Sequence, residues 1–511
     1  MPLAGWGLES EEALFSCSVK PTHVVSRSLF LCGISSILVS SSARAETYDV
    51  GPGKPYGTLS EVVGSLAAGD IVQIHGGATY TEDVTLDASG TADAKITIRG
   101  VPVNGERPVL SGSLHIDGDH VVLEGLEIRD GEPMCLRHGG HDLTVLDTVV
   151  HDCPSHGILG TDLGSGSLTL ERVEVYNCAS VQTGNRKHQV YIATDEVAHP
   201  GSVFRMALSY VHDCGFGGSN IKSRAERTEL YSNWIADSGL YEVELYGPDQ
   251  DGVPSGWSED LAREDADVVG NVFYRSANQD TDFLFRVGGD GAPDLGDAGP
   301  NDSKGRVRFA CNTVIAPGGT GIFRTFNRVD SIELHNNVFF GEGGLQMLSD
   351  EATWVGGSQL VTGTHNWLSE GTSDVPEGWE ATLTGTDPQL VDLGAVNLYP
   401  IETSVLVDAG VSPTVSPSGH EFPNPLQVPF SHPPPANTPR PVVGAVDIGA
   451  FEYGVADTPP PPPEDPSNAS SDEDDDTSDG GCQLGLGRSS RWLVSMALLL
   501  ILAARRRSLG V

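Results

Sequence analysis

The chain has 511 residues, with 70 acidic and 30 basic side chains, a formal net charge of -40 and a pI near 4.5. Such a surface repels nucleic acid and anionic membranes, so no nucleic-acid partner is expected. The 62 glycines and 33 prolines fit many tight turns and connectors, and no glycine period of three points to collagen.

Residues 28 to 42, SLFLCGISSILVSSS, are apolar and small, are preceded by Lys20 and Arg27, and lead into Ala43-Arg44-Ala45. That pattern predicts a signal region over 1–45, cut by signal peptidase after Ala45. Residues 46 to 119 then start an all-β body, in which the amphipathic segment Leu59 to Leu66 is suited to cap an otherwise open end.

From 120 to 340 one phrase recurs: VVLEGLEI, LTVLDTVV, LTLERVEV, FRMALSYV, TELYSNWI, ADVVGNVF, RVRFACNTV and SIELHNNVF. Its final apolar residues are Ile128, Val150, Val175, Val211, Ile235, Phe273, Val314 and Phe339, at intervals of 22, 25, 36, 24, 38, 41 and 25. A base period near two dozen with period-two alternation predicts a single-stranded right-handed parallel β-helix, a β-solenoid, over 46–454. Two columns support the register. Asn233, Asn271, Asn312 and Asn337 sit two residues before their markers, where stacked amides bond along the axis and tolerate a left-handed turn; Cys153, Cys178, Cys214, Ser238 and Ser276 sit three after.

Five cysteines fall in the body, Cys135, Cys153, Cys178, Cys214 and Cys311, so at least one is unpaired. Stacking brings Cys153 and Cys178 within disulfide range, and a column of buried thiols is the favoured alternative. Insertions at 180–202, 247–265 and 288–305 are expected to emerge as loops walling a surface cleft. After an irregular stretch at 348–410 and a connector at 411–441, VVGAVDIGAFEYG at 442–454 reads as a final strand returning to the body. Residues 455–481, rich in proline and aspartate, read as a disordered acidic linker. Cys482, the apolar run at 492–504 and Arg505-Arg506-Arg507 follow, predicting a transmembrane or sorting helix.

Chemistry concentrates in NIKS, EVELY, DFLFR and GIFR, where Lys222, Glu244, Arg286 and Arg324 alternate with apolar Ile221, Val243, Phe285 and Phe323. Alternation points the charged residues outward, and stacking makes them a mostly cationic strip suited to an acidic sugar. Lys222 could abstract a proton alpha to a uronate carboxylate, with nearby Arg224 favouring the amine and an arginine neutralising developing charge; Glu244 opposes this. The alternative reading is a solvated ion ladder on a non-catalytic adhesion or scaffold protein. The loop GNRKHQVYIATDE adds Lys187 and His188, the latter just before the strand Gln189 to Ala193, one coil ahead of Lys222 in the same register. A histidine there could act as acid or base.

RKHQVYIATDE, NIKSRAERTELYSNWIADSG, YEVELYG and the terminal DIGAFEY resemble exported β-helix proteins of the pectate-lyase-like superfamily. The IKS segment is similar to that of the alginate and chondroitin lyases. That resemblance implies Lys222 as the Brønsted base of a β-elimination, an arginine one coil later and calcium held by acidic residues. Here the next-coil neighbours are Glu242, Val243 and Glu244. The tail from Cys482 resembles the myxobacterial sorting signal, which implies processing by a sorting protease and attachment to the cell envelope near Cys482.

Overall fold

The computed structural model describes residues 44–454, apart from 181–185, 216, 250–252, 259–260, 262–263, 277–281, 290–300, 327, 350–359 and 423–430. The signal stretch, the acidic linker and the tail with Cys482 lie outside the described residues, whereas Ala45 is described and exposed. Among the described residues no helix is long and apolar enough to cross a membrane.

The strands form three long parallel sheets, of 12, 10 and 12 strands. The first runs from Thr47–Val50 to Leu360–Thr364, the second from Val84–Leu86 to Gln346–Leu348, and the third from Thr79–Thr81 to Leu383–Gly385. Each coil contributes one strand to each sheet in turn, which makes the body a parallel β-helix. The register follows the repeated phrase: Ile128, Val150, Val175, Val211, Ile235, Phe273, Val314 and Phe339 are successive partners in the third sheet, and Leu368 extends the column. These side chains point inward into one continuous core. Toward the C-terminal end Phe273, Phe285, Phe309, Phe323 and Phe339 fill it, with ring centroids 4.7 to 6.4 Å apart.

The asparagine column is a hydrogen-bonded ladder. Asn271 Oδ1 accepts from the backbone N–H (2.8 Å) and Nδ2 (3.0 Å) of Asn233, while Asn271 Nδ2 donates to Leu230 O (2.9 Å) and Asn312 Oδ1 (3.1 Å). The same pattern continues through Asn312 and Asn337 to Asn366. The left-handed residue is not the asparagine but the one before it: Ser232, Gly270, Cys311, Asn336 and His365 have positive φ. Amide and turn thus divide the work, one bonding along the axis and the other bending the chain.

The corner between the third and second sheets carries Cys153, Cys178 and Cys214, whereas Cys135 lies in a strand of the second sheet and Cys311 at the turn from the first sheet to the third. The disulfide joins Cys135 to Cys153, with Cα atoms 5.8 Å apart, whereas Cys178, Cys214 and Cys311 are buried thiols. The Cys153–Cys178 bridge that stacking would allow is therefore not formed; of the favoured column of buried thiols, Cys178 and Cys214 remain thiols and Cys153 does not. Cys178 Sγ turns to its own Tyr176 carbonyl at 3.3 Å, while Cys135, at the head of the sheet-two strand one coil earlier, is the cysteine bonded to Cys153. Burial pushes the Cys178 thiol up to about 12, which keeps it unreactive.

Leu59–Glu61 and Val63–Ser65 are short 3₁₀ turns that bury Leu59, Val62 and Leu66 against the first coil, as the amphipathic pattern predicts. At the other end residues 442–454 return to the body without forming a strand. Ile448, Ala450 and Phe451 pack with Val272, Ile315, Val338, Trp367, Leu398 and Leu406 on the outer face of the third sheet. The backbone N–H of Ala450 reaches Thr313 Oγ1 (3.0 Å), and Arg440 and Glu452 form a buried ion pair (3.1 Å). The segment cannot add to the sheet because it crosses its face rather than its edge.

Two predictions follow from this packing. Asn271→Ala strands buried donors on Asn233 and the Leu230 carbonyl, at about 1–3 kcal/mol for each lost partner; it should lower the denaturant midpoint far more than an exposed Asn→Ala control. On the third sheet, His151 donates to Asp152 (2.8 Å) and Glu127 (3.2 Å), and His212 to Asp213 (2.8 Å) and Glu174 (3.2 Å). Burial disfavours both imidazoliums, but the carboxylates outweigh it and raise both histidines. Their stabilisation is complete below the unfolded value of about 6.5 and is lost as pH rises through the raised folded value. His212→Asn should lower the melting temperature at about pH 6 and change it little at about pH 9.

Candidate functional site

The outward face of the second sheet carries the column Leu159, Tyr191, Lys222, Glu244, Arg286 and Arg324 in unbroken backbone register. Parallel coils place successive members about 4.8 Å apart, so the sequence-adjacent pairing of Lys222 with Glu244 and of Arg286 with Arg324 is physical. The expected cationic strip is therefore assembled, but it is not uniformly open. Lys222, Arg286 and Arg324 are half-buried, while Glu244 and Arg224 are each only 2% exposed.

The covering comes from the insertions. Arg224 donates from Nη1 to Gly247 O (2.6 Å) and Asn301 Oδ1 (3.0 Å), residues of two different insertions, and from Nε to Tyr191 Oη (3.0 Å). The Gly247 N–H donates to Asn301 O (3.2 Å), and the Asp249 N–H to Asp162 Oδ1 (3.3 Å). Arg224 is thus a fastener beneath the loops, not an exposed contact. Glu244 is likewise internal: Ser219 Oγ donates to its Oε1.

Aromatic rings occupy the space between the cations. Lys222 Nζ lies 5.1 Å from the centroid of Tyr191 and 4.7 Å from that of Tyr246. The Arg224 and Arg286 guanidiniums lie 5.1 Å from the same Tyr246 ring. Arg286 also lies 4.9 Å from Phe326, and Arg324 lies 5.6 Å from Phe326 and donates to Tyr241 Oη (3.3 Å). Ring faces attract cations, so three positive charges can share Tyr246 where they would otherwise repel.

His188 does not share the register of Lys222. Tyr191 pairs with Lys222, so His188 lies level with Ser219, whose N–H donates to His188 Nδ1 (3.1 Å). It is buried, and burial followed by the charges of Lys222, His156, Arg186 and Arg224 holds it well below the usual histidine range. A neutral ring with Nδ1 occupied keeps only Nε2–H, a donor. His156 is held to about 4, by burial and then by Lys187, and its Nδ1 accepts the His188 N–H (3.1 Å). Lys187 is half-buried beside Gly218, where a Cβ would meet the Lys187 carbonyl at 2.2 Å, so glycine lets the coils close there.

Sequence reasoning did not single out Tyr191, Tyr241, Tyr246, Ser219 or His156. The tyrosines had a signal: Tyr191 falls in the outward column, and Tyr246 lies two residues beyond Glu244. Among the described residues no group of three or more His, Cys, Asp or Glu side chains is placed to hold a metal ion, so no calcium site can be assigned to named residues.

No family model and no curated protein matches the chain. Among solved structures it is similar to pectate lyase Pel9A, at 14% identity and a TM-score of 0.48, with 80% of this chain and 96% of that one covered. It is also similar to an alginate lyase from Paenibacillus sp. str. FPU-7, at 17% and 0.43, covering 62% and 97%, and to a rhamnogalacturonan lyase, at 17% and 0.42, covering 68% and 91%. The fold assignment rests on the three parallel sheets themselves.

The different burial of the site cations predicts different mutants. Arg224→Gln removes a charged donor from Tyr191, Gly247 and Asn301 and should cost about 3 kcal/mol or more, read from the denaturant midpoint. Lys222→Ala should shift that midpoint by less than about 1 kcal/mol.

Proposed function

We propose that this is an exported β-helix protein, held at the cell envelope through its C-terminal tail, that binds acidic polysaccharide on the outward face of the second sheet. The observation that carries the reading is the cation and aromatic row Tyr191, Lys222, Tyr246, Arg286, Phe326 and Arg324 on a chain of net charge -40. Cations meet carboxylates, and ring faces meet the apolar faces of sugars. Lys222, Arg286 and Arg324 are the groups that would touch the polymer. Arg224 and Glu244 would hold them in place from beneath, and Lys187 would border the site from the preceding coil.

A second reading, β-elimination of a uronate polymer with Lys222 as base, is supported by the crowding of Arg224 and Arg286 around the ring that Lys222 also faces. Neighbouring like charges favour the neutral amine that a base requires, while Glu244, the register partner of Lys222, acts against it. His188, with Nδ1 occupied, would serve this site as an orienting group and not as the base.

The test is binding of the full chain to uronate polymers and to a neutral glucan over a salt series. Affinity should be confined to the acidic polymers and fall as salt rises. Arg286→Gln, Arg324→Gln and Lys222→Ala should each weaken it by about tenfold, or about 1.4 kcal/mol. Equal affinity for the neutral polymer, or a triple variant that binds as the wild type does, contradicts the reading.

A further inference from the structure

The Tyr191 hydroxyl is held by a guanidinium that is itself fixed in place. Its oxygen accepts a hydrogen bond from Arg224 Nε at 3.0 Å, and Arg224 is fixed by two further acceptors, Gly247 O and Asn301 Oδ1. A guanidinium can only donate, so the bond fills a lone pair on the phenol oxygen and leaves the phenol's own proton for another acceptor. Tyr191 is also the backbone partner of Lys222, and Lys222 Nζ lies 5.1 Å from its ring centroid. A basic amine and a phenolic proton thus stand on adjacent coils of one outward face. Arg224 itself is too deeply buried to reach a substrate, so its effect passes through Tyr191.

We propose that Tyr191, oriented by Arg224, is the proton donor to the leaving sugar oxygen in an elimination that Lys222 begins. This rests on the elimination reading above and supplies the half of the reaction that reading leaves open. In the step, the Lys222 amine takes the proton alpha to the uronate carboxylate. The electron pair of that C–H bond forms the new carbon–carbon double bond. The bond from the β-carbon to the bridging oxygen breaks with its pair on oxygen, and that oxygen takes the Tyr191 proton. The phenolate left behind keeps its hydrogen bond from Arg224, and a proton passed from the lysine ammonium through water restores both groups. No oxidant, reductant or metal is needed for the balance.

Burial, which outweighs the opposing effect of Arg224, pushes the Tyr191 phenol up to about 12, so it keeps its proton until the leaving oxygen develops charge. The nearby charges of Asp162 and Asp249 act in the same direction. His156 and His188, whose rings lie 5.8 and 5.6 Å from Tyr191, are both held neutral, so neither competes as a cationic acid.

The test uses the full chain, as wild type and Tyr191→Phe, with two kinds of substrate. One is a panel of uronate polymers, followed by the ultraviolet absorbance of the unsaturated product. The other is a uronate carrying fluoride at the β-carbon, a group that leaves without needing a proton. The expected result is a fall in kcat of about a hundredfold or more on the polymer with KM little changed, and a rate near wild type on the fluoride. Loss on both substrates would mean that Tyr191 only shapes the site, and no loss on either would mean that it is not the donor; each overturns the inference while leaving the elimination reading standing. Absence of unsaturated product from the wild type on every polymer would overturn the elimination reading itself, and the donor role with it.

Discussion

The structure depends on one constraint: every coil must pair its backbone with the next in the same register, because a one-residue slip would turn its apolar face to solvent. Parallel pairing alone leaves the turns free to drift. The ladder from Asn233 to Asn366 removes that freedom by tying each turn to the one above it with two hydrogen bonds. Since the same register runs through all three sheets, fixing the corner also fixes the outer face. The spacing of Lys222, Glu244, Arg286 and Arg324 follows from interior amides that never touch a ligand.

A second consequence is electrostatic. A chain with more than twice as many acidic as basic side chains nevertheless gathers cations on one face, and the insertions decide how each is used. Where an insertion folds back, as over Arg224, the charge becomes a fastener with carbonyl and amide acceptors. Where rings stand beside the cations, as around Lys222, Arg286 and Arg324, the positive charge is tolerated while only half-buried. The same logic operates inside the corner, where Glu242 and Arg275 pair at 3.1 Å with almost no exposure. Burial raises Glu242 although Arg275 opposes it, and Asn220 and Ser238 complete its hydrogen bonds.

Much of the fold was legible because a β-helix writes its period into the chain. The apolar markers gave the coil register with no error across Ile128 to Phe339, even where insertions stretched the interval to 41 residues. The outward strip was legible for the same reason. Other features were not, because they depend on how the coil turns. Cys153 chose Cys135 and not Cys178, since corner geometry rather than column order sets which sulfurs meet. His188 fell three residues out of step with Lys222, because the register carries on through the strand's entrance and sets Tyr191, not His188, opposite the lysine. The burial of Arg224 and Glu244 was hidden as well, since alternation predicts direction but not what an insertion folds over. The return of residues 442–454 was readable from its apolar content, yet not its lack of a strand.

The central claim is that the outward face of the second sheet is where this protein meets an acidic polymer. Hydrogen exchange of the full chain, with and without a saturating uronate polymer, tests it most directly. The account predicts added protection in the strands carrying Tyr191, Lys222, Arg286 and Arg324 and in the insertion segments fastened by Arg224, with the first and third sheets unchanged. Protection confined to another sheet, or spread evenly along the solenoid, would contradict it.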